Sequence, residues 1–296
     1  MADIHITIDG KQLSVPRDST VMEAAEKAGI QIPKLCAHPA LKPIGACRVC
    51  LVEVEKQRGL QPSCTFPVSE GMVVHTNTPA VREERRFVLE LLLSDHPMDC
   101  MTCEQSGACE LQDLAYEYGI KESRYPGQQH SWPEQEANPF IYRDYNKCIL
   151  CRRCIRACDE INGVEAIGLI RRGWDTKVGT AYDGSLQDSP CEFCGMCMEI
   201  CPTGALTPVM RAGAGRTWEM KKVTTTCPYC GVGCTLDLMV KDNKVTSAQS
   251  NWDGAANKGW TCVKGRFGWD YVHNEERLTT PLIKKDGEFV EATWDE

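Results

Sequence analysis

One cysteine pattern occurs twice in this chain and limits what it can fold into. Cys148, Cys151, Cys154 and Cys158 read C-x2-C-x2-C-x3-C, and Cys191, Cys194, Cys197 and Cys201 repeat the spacing 43 residues later, now followed by Pro202. Three cysteines this close wrap one cubic iron–sulfur cluster, and the fourth reaches the other cube. The expected sets are therefore Cys148, Cys151, Cys154 and Cys201 for one 4Fe-4S cluster, and Cys191, Cys194, Cys197 and Cys158 for the other. A tetrahedral zinc site has no use for the third close cysteine. The first copy carries Asp159 where the second has Pro202, so its turn is expected to differ. Arg152, Arg153 and Arg156 lie among the ligands of the first copy. They read as a solvated basic face, with compensation of an anionic cluster as the alternative.

The two copies account for eight of 19 cysteines. An odd total, with no apolar h-region after "MADIHITIDG", argues against a secreted disulfide scaffold and for thiolate metal ligands in a reducing, cytoplasmic setting. The longest apolar run, "FVLELLL" at 87–93, is far short of the roughly 18 residues of a membrane span. A net charge of −8 without a basic tract excludes a nucleic-acid partner, because phosphate binding needs clustered Lys and Arg.

Cys36, Cys47, Cys50 and Cys64 form a C-x10-C-x2-C-x13-C group. Before it, Ile4, Ile6 and Ile8 alternate, Asp9-Gly10 turns the chain, and Leu13 and Val15 return, which predicts a hairpin. Thr20 with Glu23 predicts a capping box opening a helix that Gly29 ends. This arrangement resembles the β-grasp 2Fe-2S ferredoxins at the front of respiratory and hydrogenase subunits. A four-thiolate zinc site is the alternative, although such sites usually present two close pairs. His38 has no such frame and reads as an ordinary loop residue.

His96, Cys100, Cys103 and Cys109 follow the amphipathic stretch "VREERRFVLELLLSDHP" at H-x3-C-x2-C-x5-C spacing. The group resembles the His-Cys 4Fe-4S site of the large iron–sulfur subunit of complex I and related oxidoreductases. A neutral imidazole in place of a thiolate makes a cluster less negative and raises its potential.

The last four, Cys227, Cys230, Cys234 and Cys262, are spaced C-x2-C-x3-C-x27-C, with Gly231 and Gly233 allowing the turn and "TLDLMVKDNKV" predicting a hairpin around Asp242-Asn243. They resemble the small 4Fe-4S domain of the bis-pterin guanine dinucleotide oxidoreductases of molybdenum or tungsten. That resemblance implies a relay and cofactor-binding role for Lys264, between cluster and pterin; a surface lysine in a loop is the ordinary alternative. The five groups use every cysteine, with His96 as the one non-thiolate ligand.

The expected fold is an α+β multidomain iron–sulfur protein. Its parts are a β-grasp 2Fe-2S ferredoxin domain at 1–79, a helical His-Cys 4Fe-4S domain at 80–125 and a bacterial 2x4Fe-4S ferredoxin at 126–216. A small β-rich 4Fe-4S domain follows at 217–275, and the start of a truncated or separately encoded molybdopterin catalytic domain at 276–296. Linkers are expected at 125–139 and at "RAGAGR", 211–216. The latter lacks the G-x-G-x-x-G frame, so neither NAD nor flavin is expected on this chain.

Five centres in series suit a wire, since electron tunnelling fades steeply with distance. Three families share parts of the pattern. The large complex I subunit resembles residues 1 to about 125 and the 227–262 group, but is expected to lack the duplicated ferredoxin between them. Iron-only hydrogenases resemble residues 1 to about 210, but their active-site cysteine motifs do not follow here. The whole chain, "CVKGRFGWDYVHNEERLTTPLI" above all, resembles the catalytic subunit of cytosolic NAD- or ferredoxin-linked formate dehydrogenases. This implies flavin-containing, NAD-reducing partner subunits at the 2Fe-2S end and a Mo or W pterin region beside Lys264. The formate-oxidising residues would lie beyond Glu296. The alternative is a non-catalytic electron-transfer subunit of a hydrogenase or other reductase.

Overall fold

A computed structural model describes residues 3–125, 127–133 and 138–296, and the chain divides into two compact units, Met1–Met220 and Lys221–Glu296. Within the expected 125–139 linker, residues 126 and 134–137 lie outside the described residues.

In the first unit β1 (Asp3–Ile8) and β2 (Lys11–Pro16) pair antiparallel. Asp9 and Gly10 between them have φ of 48° and 79°, the left-handed pair that a two-residue hairpin turn requires. Ile4, Ile6 and Ile8 all face inward and are buried. Helix α1 (Val21–Lys27) opens on the expected capping box: Thr20 Oγ1 accepts from the Glu23 N–H at 3.2 Å, and Glu23 Oε2 accepts from the Thr20 N–H at 2.7 Å. β3 (Leu51–Val54), β4 (Gln61–Pro62) and β5 (Val73–His75) complete a five-stranded sheet of order β2-β1-β5-β3-β4. β1 and β5 are parallel and the other pairs antiparallel. Val21, Ala24 and Ala25 of α1 pack on Ile4, Ile6, Val52 and Val74, forming one apolar core.

Helix α2 (Pro79–Asp95) starts where Thr78 Oγ1 accepts from the Val81 N–H, and α3 (Glu110–Glu117) follows the next cysteine group. Leu89 and Leu93 of α2 meet Leu111, Leu114 and Ala115 of α3 around Leu35, Cys36 and Val49.

The next part of this unit holds β6 (Ile141–Arg143), α4 (Arg153–Arg156), β7 (Gly168–Ile170), β8 (Lys177–Gly179), α5 (Met196–Glu199) and β9 (Leu206–Pro208). β6 pairs with β9 and β7 with β8, both antiparallel. The sequence repeat is also a backbone repeat. α4 and α5 occupy equivalent positions, and left-handed residues precede both: Leu150 and Arg152 in one copy, Phe193 and Gly195 in the other. The copies diverge where Asp159 replaces the proline. After α4 the chain continues through a π turn, Ala157–Ile161, whereas after α5 it leaves at Cys201 and Pro202, since proline has no N–H to continue the turn.

The glycine-rich 211–216 stretch, expected to be a linker, is tied down. Arg216 donates to the carbonyls of Cys103 and Met101, and the Gly213 N–H to Glu104 Oε1 at 3.2 Å. A Cβ on Gly107 would lie 2.2 Å from the Trp218 ring, so this segment packs onto the 101–107 loop. Spacing cannot reveal such contacts, because its partners are more than a hundred residues away.

The second unit is built on β10 (Lys221–Thr226), β11 (Thr235–Lys241) and β12 (Lys244–Ser250), antiparallel in that order. Asp242 and Asn243 turn β11 into β12 with φ of 48° and 60°, the hairpin read from the sequence. A short helix, α6 (Val263–Phe267), and a hairpin of β13 (Leu282–Lys285) and β14 (Glu288–Glu291) follow. No helix among the described residues is long and apolar enough to cross a membrane.

Candidate metal centres

The loops around the five-stranded sheet bring Cys36, Cys47, Cys50 and Cys64 together, all buried. The Cys36 N–H points at Cys47 Sγ and the Cys47 N–H at Cys36 Sγ, each at 3.4 Å. Hydrogen bonds from the Cys47 and Cys64 thiols pull the Cys36 pKa down to about 2, and the Cys64 hydrogen bond draws Cys50 down to about 7. The same bonds push Cys47 and Cys64 up. Four sulfurs close enough to share protons fit a metal site, where the metal takes the place of those protons.

His96 is the residue at which α2 ends, and Cys109 the one from which α3 begins. His96, Cys100 and Cys109 line one cavity with Leu93 and Met98. His96 is buried, its Nδ1 has no hydrogen-bond partner among the described residues, and burial lowers its pKa, so the ring is held in the neutral form that metals bind. Cys103 does not line the cavity; its Sγ lies against Gly204. It remains near enough to push up both Cys100 and Cys109, the latter to about 11, in each case after burial, which does most.

Cys148, Cys151, Cys154 and Cys201 line a single apolar cavity, and Cys158, Cys191, Cys194 and Cys197 line a neighbouring one. The two share Cys197, Ile141 and Leu186 in their walls. The fourth cysteine of each copy thus stands with the other copy's three. Burial pushes the Cys148 and Cys151 thiols up to about 12. In the second cavity the Ala166 N–H points at Cys158 Sγ (3.3 Å), the Phe193 N–H at Cys191 Sγ (3.4 Å), and Asn162 Nδ2 at Cys194 Sγ (2.8 Å). Donors aimed at sulfur are how a protein stabilises the anionic form of a cluster.

The expectation of a solvated basic face is corrected for two of the three arginines. Arg152 is exposed, but Arg153 and Arg156 are 2% and 6% exposed. Arg156 donates to the carbonyls of Cys36 and Lys42. Arg153 donates to both Glu110 oxygens (2.5 and 2.8 Å) and to the Ala37 carbonyl (2.9 Å). Their acceptors are 43 to 120 residues away, and it is those distant partners that bury the guanidinium groups. His38, read as a loop residue, accepts from the Ala40 N–H at its own Nδ1 (3.2 Å), and burial, then Arg153, lowers its pKa to about 4.

In the second unit Cys227, Cys230, Cys234 and Cys262 line one cavity with Lys264 and Tyr229. The Cys227 N–H donates to the Cys234 carbonyl at 2.8 Å, closing the turn in which Gly233, at φ 66°, is left-handed. Gly231 has no such φ. A Cβ at Gly265 would lie 3.4 Å from Cys227 Sγ, so the backbone of α6 passes close to the sulfurs. Lys264 and Arg266, both on α6, behave differently. Lys264 is exposed, whereas Arg266 is 1% exposed and donates to the Ala248 carbonyl (3.0 Å) and Ser250 Oγ (2.8 Å), fixing α6 to β12.

Four family models match in succession: a 2Fe-2S iron–sulfur cluster binding domain over 1–79, the NADH-ubiquinone oxidoreductase-G iron–sulfur binding region over 85–124, the ferredoxin-like domain of NADH-quinone oxidoreductase subunit 3 over 138–207, and the molybdopterin oxidoreductase Fe4S4 domain over 220–274. A NADH-quinone oxidoreductase G-type polypeptide of Rhizobium meliloti, the second of that type in the organism, is 40% identical over 295 residues, covering 99% of this chain. The mitochondrial 78 kDa NADH-ubiquinone oxidoreductase subunit of Neurospora crassa is 37% identical over 297 residues and 100% of this chain. The chain belongs to the G-type, or 78 kDa, iron–sulfur family of the NADH-quinone oxidoreductases. It spans 34% and 39% of the length of these two relatives. A chain from the crystal structure of an NAD+-reducing [NiFe]-hydrogenase matches with a TM-score of 0.66 and 33% identity, over 72% of this chain and 88% of its own. The family's own pattern includes a ferredoxin-like region, and this corrects the expectation that the middle segment would set the chain apart from the complex I subunit. Membership makes the chain an iron–sulfur electron-transfer subunit of a multi-subunit oxidoreductase family. Formate is not named by these relatives.

Proposed function

We propose that the chain is the iron–sulfur wire of a formate dehydrogenase or carbon dioxide reductase. It would join a molybdenum or tungsten bis-pterin region at the Lys264 end to flavin-containing, NAD-reducing subunits at the Cys36 end. The observation that carries the reading is that the 19 cysteines and His96 gather into five sets, the last sharing its cavity wall with Lys264. The proposed ligands are Cys36, Cys47, Cys50 and Cys64 for a 2Fe-2S cluster, and the other four sets for 4Fe-4S clusters. Bound there, the clusters supply one-electron centres in succession. The protein holds the ligand loops rigid, keeps water from the buried thiols and aims N–H groups at sulfur. Lys264 adds a positive charge on the exposed side of its set. Within the first unit, Cys36, Cys47, Cys109 and Cys151 share one packed core, so three sets are close neighbours there rather than beads along the sequence.

The likeness to the NAD+-reducing hydrogenase chain over 72% of the sequence favours a second reading, a non-catalytic electron-transfer subunit of a hydrogenase or other reductase. Purification of the native complex containing this chain separates the two. Bound molybdenum or tungsten together with formate-dependent NAD reduction supports the first. Hydrogen- or quinone-linked activity without formate turnover supports the second.

A further inference from the structure

We propose that Arg153 is a positioning residue that ties three cluster sites to one another and sets their reduction jointly; this rests on the cluster reading above. Arg153 sits between Cys151 and Cys154 at the first residue of α4. Its guanidinium reaches the neighbour of a ligand in three sets. Nη2 donates to the carbonyl of Ala37, next to Cys36, at 2.9 Å. Nη1 and Nη2 grip Glu110, next to Cys109, at 2.5 and 2.8 Å. Nη1 also lies 3.4 Å from the carbonyl of Ile200, next to Cys201.

A planar fork with fixed N–H directions can serve three such acceptors at once; a lysine ammonium on a flexible stem cannot hold the same geometry. The group is also a buried cation. Arg153 is 2% exposed, while the Glu110 side chain that balances it is 46% exposed and screened by water. An added electron makes a cluster more negative, so an unscreened positive charge beside three sets favours reduction of all three. Burying an arginine for packing alone would be costly when a hydrophobic side chain could fill the space.

Two variants with opposite electrostatic sign test this in the intact complex. Arg153→Gln removes the cation, and Glu110→Gln removes its counter-charge while leaving the arginine. EPR-monitored redox titration reads the midpoint potentials of the individual clusters, with iron content measured on the same samples. The Cys158 set, which Arg153 does not hydrogen-bond, is the internal reference.

The expected result is a joint negative shift of the Cys36, His96 and Cys148 sets in Arg153→Gln and a joint positive shift in Glu110→Gln, each larger than that of the reference. Arg153→Lys should restore the potentials towards wild type while leaving the spin–spin interaction between neighbouring signals altered, because charge returns without the fork. Unshifted potentials in Glu110→Gln overturn the proposal, even if Arg153→Gln loses iron. Wild-type complex lacking these cluster signals would instead overturn the cluster reading and the proposal with it.

Discussion

Gly204 lies against the Cys103 thiol: a Cβ at residue 204 would stand 2.6 Å from Cys103 Sγ. The contact joins the loop after Cys201 to the His96 group, and two others reinforce it. The Glu110 N–H donates to the Pro202 carbonyl at 3.0 Å, and Cys109 Sγ lies 3.6 Å from the same oxygen. Gly204→Ala should therefore displace Cys103, at an overpacking cost of about 1–3 kcal/mol. The expected outcome is selective loss of the His96-set signal, with about four irons missing. Retention of that signal at full intensity would count against Cys103 as a ligand.

His96 is expected to be a ligand rather than a buried bystander. His96→Cys should keep a cluster and lower its potential, because a thiolate adds negative charge, whereas His96→Ala should lose or degrade that cluster. Low-temperature EPR of the reduced variants reads both. An alanine variant with an unchanged set of signals would return His96 to the ordinary buried histidines.

Glu90 supplies a pH test. Its side chain is fully buried, and it accepts from Arg86 Nε at 3.1 Å and Arg124 Nε at 2.6 Å. Burial pushes its carboxyl up, but the hydrogen bonds from Arg124 and Arg86 outweigh this and leave the pKa below the ordinary carboxylate value. A lowered folded pKa contributes stability above the unfolded pKa of about 4.3, lost as pH falls through the folded value. Glu90→Gln should cost about 1–3 kcal/mol at pH 7. The gap from wild type should close once the pH drops below about 4, as followed by anaerobic thermal unfolding. A gap independent of pH would mean that the carboxylate charge is not what stabilises the site.

Lys264→Ala is expected to act on transfer and not on folding, since Lys264 is exposed while Arg266 holds α6 in place. In the complete enzyme, cluster content and flavin-side NADH-to-dye activity should be unchanged, and formate-driven reduction of all five clusters should slow together. Loss of the Cys227-set cluster would make the lysine structural; normal formate-driven reduction would make it incidental.

Local chemistry was legible in the sequence. The Asp9-Gly10 and Asp242-Asn243 turns, the Thr20–Glu23 capping box and the altered turn at Asp159 all depend on residues a few positions apart, and all have the expected form. The grouping of Cys201 with Cys148 and of Cys158 with Cys191 followed from the geometry of a duplicated cube-binding loop. What depends on distant partners was not legible. Arg153 and Arg156 look like surface charge because their acceptors come from other segments. Arg216 looks like linker because the carbonyls it binds belong to Met101 and Cys103. Gly204 carries no mark at all until the Cys103 sulfur is placed against it.

The central claim is that this chain carries five clusters, and iron with acid-labile sulfide, measured on anaerobically purified protein, tests it most directly. One 2Fe-2S and four 4Fe-4S clusters predict about 18 irons and a matching sulfide content per chain. A zinc-dominated preparation, or an iron count near half that value after careful reconstitution, would contradict it.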